Sequence, residues 1–563
     1  MVLLFLYNHI DGASSNFYGI QSVLRHNDII CKTNQQYASF ILISYNILKC
    51  FIILYISNMN DYRRIYKKSN ERIKVYATIT TITSFALMFL FIDSLLQFEN
   101  KNALAQSELI AKTSADNNNA PSTDNFNLTS GYTVEPVVWN LTAPDSITFD
   151  NKGNMYIGEA GYPLTRLPEV PKILKVTPNG NISVFVDKGL NSPIVDVVYY
   201  NETTLYVSHN HKVSIVNLTN GAVKDIIAGL PTNINHQNNQ IAFSSDGKRL
   251  YVGIGSATNS GVVGEDDAII GWLPNEPNVH DVPAKNITLT GQNFVTNNTL
   301  TAEPNDTTTT GAFVPFGKPT YPAQVIQGNI KCNGCILSAN LDGTDLKLVG
   351  WGLRNPTGLA FNEEGRLFAV NHGADQRGSR PIANDSDKFH EIKLNDTAFY
   401  GWPDFFGNAE PVTDPKFKSP RGGGNTSLQF LMQNHPSVEK PLVLFEPPHT
   451  SGIQIAFANE SFGFQGEAFV AQMGTDAPIS RTLPPPGTII GQNVVHVNID
   501  NKTITDFLTL NKSSTSFRPT DVVFSQNGTA LYIVDWGNLS FTEDPPTTPY
   551  SGVVWKITPT KTQ

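Results

Sequence analysis

Cysteine is the scarcest informative residue: four in 563. Cys31 and Cys50 lie far from the rest of the chain's motifs, and Cys332 and Cys335 form a lone C-x-x-C. No second pair completes a zinc tetrad, and Ile336 stands where a c-type haem attachment needs histidine. A local disulfide and two free thiols are both open, with the disulfide favoured. Charge is also sparse. At 16% charged residues and a net charge of −9, the chain lacks the basic surface that nucleic acid requires. Glycine is plentiful, yet no Rossmann or P-loop pattern stands where a strand meets a helix. No haem or copper motif is present.

The first hundred residues differ in kind from the remainder of the chain. Residues 39–57, "SFILISYNILKCFIILYIS", are long enough for a membrane span, interrupted by Asn46 and Lys49. A basic run comes next (Arg63, Arg64, Lys67, Lys68, Arg72, Lys74), then an apolar stretch from Val75 to Leu96, then Ala103-Leu104-Ala105 before Gln106. That order is a secretory signal, or an uncleaved anchor, with the basic run left in the cytoplasm. A complete signal starts at Met59, which makes Met59 a candidate true start. Sixteen N-x-S/T sequons run from Asn127 to Asn538, with none before residue 106, which fits an exported, glycosylated protein. The expected organisation is an N-terminal extension (1–58), a signal or anchor (59–105), a polar linker (106–131) and one folded domain (132–560). The N-terminal segment is the expected route to the membrane if it stays uncleaved.

Within that domain one pattern returns. Alternating apolar residues end in an aromatic, a short polar turn comes after it, and a second strand carries another aromatic. The copies are "DSITFDNKGNMYIGEAG" from Asp145, "VDVVYYNETTLYVSHNH" from Val195, "NQIAFSSDGKRLYVGIGSA" from Asn239, "TGLAFNEEGRLFAVNHGAD" from Thr357, "IQIAFANESFGFQGEAFVAQMGTD" from Ile453 and "TDVVFSQNGTALYIVDWGN" from Thr520. Period-2 alternation about a tight turn is a hairpin. Further strands between the copies make units of about four strands, and repeated units of that kind make a propeller. The fold class is therefore all-β, a six-bladed β-propeller preceded by N-terminal hydrophobic helices. A solenoid is the alternative, but its repeats would be shorter and more even. The last unit lacks one strand, which "YTVEPVVWN" from Tyr132 supplies to close the ring. "LTAEPNDTTTTGAF", between the third and fourth hairpins, reads as a long exposed loop.

Hairpin topology puts the residues before each first strand and after each second strand at one end of the ring. Before first strands stand His236, Arg354, Asn355, His449 and Arg518; after second strands stand Glu159, His209, His211, His372, Asp375, Asp476 and Asp535. With eleven histidines in the chain, this gathering of His, Arg and Asp marks a concave polar site. An imidazole beside an arginine resists protonation and stays available as a base.

At these residues the chain resembles a known family. "LPTNINHQNNQIAFSSDGKRLYVGIG", "WGLRNPTGLAF" and "NHGADQRGSRPIANDSDKFHEIKLNDTAFYGWPDFFG" are similar to segments of the glucose/sorbosone dehydrogenases, in the sorbosone-dehydrogenase-like branch. That family consists of exported six-bladed propellers that use pyrroloquinoline quinone (PQQ) with Ca²⁺, and the likeness spans roughly residues 135–560. It implies oxidation of a small-molecule aldose to its lactone, with electrons passed to an acceptor that the sequence does not identify. By resemblance His236 is the general base, Arg354 stabilises negative charge on the quinone, and Asn355 and Gln237 hold the cofactor. The same resemblance implies that the carbonyls of Gly373 and Ala374 bind Ca²⁺. Two departures stand out. Blade two reads "LNSPIVDVVYY", without the family's D-G-Q turn, and in blade five only Arg481 can replace the family's cofactor-binding Lys or Arg. Ala374 replaces a proline of the calcium turn.

The same residues admit two other readings. One is a propeller of this ancestry that has lost its quinone and binds a glycan or protein. The other is a calcium-dependent lactonase, with Glu159, Asp476 and Asp535 as candidate carboxylates at a central metal.

Overall fold

The computed structural model describes residues 112–113 and 120–560, apart from short gaps at 162–169, 233–234, 304, 422–426, 486, 512–516, 541–542 and 544. The expected span at 39–57, the signal and the candidate start at Met59 lie outside the described residues. Six units built on four antiparallel strands, three of them extended by a fifth strand, form a ring, as the repeated hairpins predict. Blade one is Pro144–Phe149, Met155–Glu159, Lys172–Val176 and Ile182–Val186. Blade two runs from Ile194–Asn201 to Val223–Ala228. The innermost strands of blades three to six are Asn238–Phe243, Pro356–Phe361, Gly452–Phe457 and Pro519–Phe524.

The aromatic that ends each first strand explains why the pattern repeats. In five of the six blades it packs on the second-strand aromatic of the preceding blade: Phe243 on Tyr206 at 5.0 Å, Phe361 on Tyr251 at 5.1 Å, Phe457 on Phe368 at 5.4 Å, and Phe524 on Phe469 at 5.5 Å. Phe149 closes the series on Tyr532 of blade six at 4.6 Å. Such pairs contribute about 0.5–1.5 kcal/mol each beyond their buried area.

Tyr132–Leu141 pairs with Gly552–Pro559 as the outer strand of blade six, from Tyr132↔Pro559 to Leu141↔Gly552. The ring is closed by an early strand pairing with the last described one, as expected. Phe126–Leu128, within the segment expected as linker, adds a strand to the outer edge of blade five by pairing with Leu508 to Leu510.

The inner edge of a blade exposes unpaired N–H groups to the channel, and these need acceptors. Side chains from neighbouring blades supply them. Asp521 accepts from Ile147 N at 2.9 Å, Asp196 from Ile241 N at 2.7 Å, Gln240 from Leu359 N at 2.7 Å and Ser146 Oγ from Val197 N at 3.1 Å. The channel is thus stitched shut by polar residues. Burial pushes the Asp196 carboxyl up to about 7, and burial with the nearby Asp196 charge pushes Asp521 up to about 8.

Between the second and third strands of blade three, residues 255–334 form an insertion with a short helix, Glu265–Ile270. The segment expected as a long loop is instead partly a hairpin, Asn293–Asn297 against Thr307–Gly311. Its threonine run passes from exposed at Thr307 to fully buried at Thr310. Cys332 and Cys335 are joined by a disulfide at the end of this insertion, which resolves the open choice between bridge and thiols. Among the described residues no helix is long and apolar enough to cross a membrane.

Candidate functional site

Blades three, four and five bring one group together. His236 stands just before the innermost strand of blade three, Arg354 and Asn355 before that of blade four, and His449 before that of blade five. Asp375, in the loop after the second strand of blade four, joins them. Its Oδ2 accepts from Arg354 Nη2 at 2.6 Å and from Arg377 Nε at 2.9 Å, while Oδ1 lies 3.4 Å from His449 Nδ1. Burial alone would raise the Asp375 carboxyl, but the two guanidinium groups hold it well below the usual range.

Arg354 is fixed further by the insertion. Its Nε donates to Asn259 O at 3.0 Å and its Nη2 to Asn259 Oδ1 at 3.1 Å. Arg377 reaches Asp266 of the short helix at 2.6 Å. Sequence reasoning missed Asn259 and Arg377. Asn259 lies in an insertion without pattern, whereas Arg377 stands two residues after Asp375 in "GADQRG", where a basic residue beside an aspartate was a usable signal.

His236 is 9% exposed, and its Nδ1 faces Ser256 O at 2.9 Å. A carbonyl only accepts, so Nδ1 carries the hydrogen and Nε2 keeps its lone pair. Ser256 Oγ, 3.1 Å from the same Nδ1, sends its own proton to Thr258 O at 2.6 Å. Burial, then Arg354 and Arg377, lower the His236 pKa well below the ordinary imidazole value. The ring is neutral at physiological pH, as expected of an imidazole beside an arginine. No residue larger than glycine fits behind it, because a Cβ on Gly255 would stand 2.2 Å from His236 Cβ and 2.6 Å from Asn355 Oδ1.

Asn355 Oδ1 accepts from Asn239 at 2.9 Å, and its Nδ2 lies 3.2 Å from His372 Nδ1. His372 Nε2 donates to Gly452 O at 2.6 Å, so this ring ties blade four to blade five and has both nitrogens occupied. His449 differs. Its backbone is left-handed (φ 74°), a conformation that a side-chain-bearing residue adopts only when its surroundings enforce it, and its Nε2 is buried with no partner among the described residues. Burial would lower its pKa, but Asp375 outweighs burial and raises it.

The loop of Gly373 and Ala374 is held by two buried aspartates. Gly373 N donates to Asp387 at 2.8 Å and Ala374 N to Asp385 at 2.6 Å. In a trans peptide the carbonyl points opposite to the amide, so the Gly373 carbonyl faces away from Asp385. Asp375 N likewise donates to Asn259 Oδ1 at 2.7 Å, turning the Ala374 carbonyl away from the insertion. Two oriented carbonyl oxygens are hard donors of the type Ca²⁺ takes. Gly373 is obligatory here, since a Cβ would meet Asp385 O at 2.1 Å. Gln237 Oε1, buried without a partner beside His236, and His449 Nε2 are further polar atoms that a bound polar group would satisfy.

The other expected residues stand apart. Arg481 turns to its neighbour Thr482, donating to its carbonyl oxygen at 3.2 Å. Glu159 pairs with Lys172 at 2.9 Å and caps Thr142 N at 2.6 Å. His209 accepts from Asn191 N at 2.8 Å and faces Ser214 Oγ at 2.7 Å, and burial lowers it to about 4. His211 faces Leu230 O at 2.9 Å. Asp535 accepts from Arg518 N at 2.9 Å and Gly537 N at 3.0 Å, while Arg518 Nη1 donates to Met473 O at 3.0 Å. Glu159 and Asp535 therefore hold loops, and among the described residues no three His, Cys, Asp or Glu stand together as a metal site. The side-chain metal centre that the lactonase reading needs does not form there.

No protein-family model matches the chain, and no curated protein matches it. Solved structures do. The PQQ domain of pyranose dehydrogenase from Coprinopsis cinerea aligns at a TM-score of 0.49 and 17% identity, over 78% of this chain and 99% of that one. A calcium structure of a Trichoderma reesei family AA12 carbohydrate-active enzyme aligns at 0.48 and 17%, over 79% and 100%. The PQQ-bound aldose sugar dehydrogenase of Streptomyces coelicolor aligns at 0.44 and 14%, over 77% and 99%.

Proposed function

We propose that this protein is a PQQ- and Ca²⁺-dependent dehydrogenase that oxidises an aldose to its lactone at the outer surface of the cell. The observation that carries the reading is the state of His236: a buried, neutral imidazole with Nδ1 tied to a carbonyl and Nε2 without a hydrogen bond among the described residues, beside a fixed arginine. Oxidising an alcohol carbon as hydride requires a base for the hydroxyl proton, and a neutral Nε2 in hydrogen-bond reach is such a base. Arg354 is locked by Asn259 and Asp375, so its positive charge needs no reorganisation when negative charge develops nearby.

Bound here, PQQ would supply the two-electron acceptor and Ca²⁺ the Lewis acid that polarises it. Gly373 and Ala374 would hold the ion through their carbonyls; Arg354, Asn355 and Gln237 would hold the quinone. Export rests on the signal-like order before Gln106 and on the sequons after it. The sorbosone-like branch is supported by the quoted segments of the sequence.

The test is dye reduction by the purified full-length chain with Ca²⁺ and added PQQ over a panel of aldoses. Turnover that needs PQQ and disappears in His236→Ala supports the reading. Absence of both turnover and PQQ-dependent thermal stabilisation would overturn it. A propeller that binds a glycan or protein without turnover is the second reading. One observation favours it: Arg481, the only substitute for a family cofactor contact, bonds its own neighbour.

A further inference from the structure

His449 is an imidazole for which the reading above gives no task, yet the fold invests in its position. It is 6% exposed, sits on a left-handed backbone and presents an unpartnered Nε2 in the buried cluster. Asp375 faces its Nδ1 at 3.4 Å and is itself held by two arginines. At that distance the carboxylate acts on the ring by charge, favouring a hydrogen on the Nδ1 side, while Nε2 stands on the opposite side of the ring. A carboxylate behind one ring nitrogen is the arrangement that fixes an imidazole's orientation and favours its cationic form.

Two imidazoles therefore flank the Arg354–Asp375–Arg377 group, from blades three and five, one with Nδ1 on a carbonyl and the other with Nδ1 facing a carboxylate. Their surroundings are opposite. Arginine charge and a neutral carbonyl face His236, whereas Asp375, Asp387 and Asp476 face His449. Asp387 is tied to the same loop, accepting from Thr450 Oγ1 at 2.8 Å and Ser451 N at 2.6 Å. Environments that push two titratable groups apart assign one as base and the other as acid.

We propose that His449, aimed by Asp375, is the second proton-handling group of this site, holding at Nε2 the proton that the acceptor takes up while His236 Nε2 receives the proton of the substrate hydroxyl. The inference rests on the dehydrogenase reading, and its balance comes from it. The alcohol carbon loses a hydride to the two-electron quinone acceptor, and its oxygen loses a proton to His236. His449 delivers one proton to the reduced acceptor. Afterwards His236 releases its proton to solvent and His449 regains one, so the pair returns to its starting state with no further reactant.

The experiment is an imidazole titration of the full chain, selectively isotope-labelled at histidine, without cofactor. His449 and His236 signals are identified by their loss in His449→Gln and His236→Gln. The expected result is that His449 holds protons on both nitrogens to higher pH than any other histidine of the cluster, while His236 stays neutral with its hydrogen on Nδ1. His449 neutral throughout, or titrating below His236, overturns the proposal whatever the activity assay gives. In turnover, His449→Gln is expected to lower kcat roughly tenfold or more, leave KM nearly unchanged, and abolish the alkaline fall of the kcat–pH profile. The acid limb, which belongs to His236, should persist. An unaltered alkaline limb in a folded variant overturns the role. If the wild-type chain turns over no aldose, the dehydrogenase reading fails separately, and the titration alone decides whether His449 holds the proton.

Discussion

Arg354 and Asp375 meet at 2.6 Å with both side chains almost wholly buried, and Asp375 carries Arg377 on the same oxygen at 2.9 Å. One carboxylate thus neutralises and aligns two guanidinium groups. Asp375→Ala leaves both cations buried without it. Removing one partner of a buried pair costs about 3–5 kcal/mol, so the denaturation midpoint should fall steeply. Arg354→Lys should restore little, because an ammonium cannot make the fork to Asn259 and Asp375 together.

His236→Gln keeps the volume and removes the base. The fold should remain, with kcat lowered by about 10²–10⁴-fold. The same ring sets an acid limit on stability. Its folded pKa is depressed, so the unfolded chain binds the proton more tightly and stability falls as pH drops below the ordinary imidazole value near 6.5. His236→Gln should lose that part of the acid destabilisation, which urea titrations at pH 5 and pH 8 would measure.

The channel carboxylates act at the other end of the scale. Asp196 and Asp521 have folded pKa values raised to about 7 and about 8, above the unfolded value near 3.9. The folded state holds these protons more tightly, so the stability they confer is present at low pH and lost as pH rises through about 7 to 8. Asp521→Asn keeps an oxygen for Ile147 N–H and cannot ionise. Its melting temperature at pH 9 should exceed that of the wild type, with the gap closing toward pH 6.

Gly255→Ala tests the packing behind the proposed base. Its methyl would overlap His236 Cβ, at 2.2 Å. The imidazole must then shift, and a displacement near 1 Å costs about 10²-fold in rate. Activity should fall by that order while the Ca²⁺ binding proposed for Gly373 and Ala374, on the next blade, is retained; isothermal titration with the ion checks the second half.

How far the sequence reached depends on what kind of contact each feature needs. The hairpins were legible because alternation and turn residues are local, and the aromatics that end each first strand already show the inter-blade seam. His236, Arg354, Asn355 and Asp375 were legible because topology alone brings strand ends to one mouth. Asn259 was not, since it reaches Arg354 from 95 residues away through an insertion that carries no repeat. Arg481 was misplaced for the converse reason: its distance from a strand end is loop, and loop length does not fix direction. The acids of the channel also escaped notice. They occupy positions where alternation predicts apolar residues, and only the ring geometry shows the edge amides that need them.

The closing strand has a consequence for how the molecule is made. Glu135 and Lys556 form an ion pair across 421 residues, at 3.0 Å, on the two strands that complete blade six. Synthesis delivers one of these strands long before the other. Until Gly552–Pro559 emerges, one edge of the early strand has no partner, the ring cannot shut, and that edge is open to pairing with other chains. Contacts this distant in sequence form slowly. Completion of blade six is therefore tied to both strands: a change that weakens either Tyr132–Leu141 or Gly552–Pro559 weakens the pairing that shuts the ring.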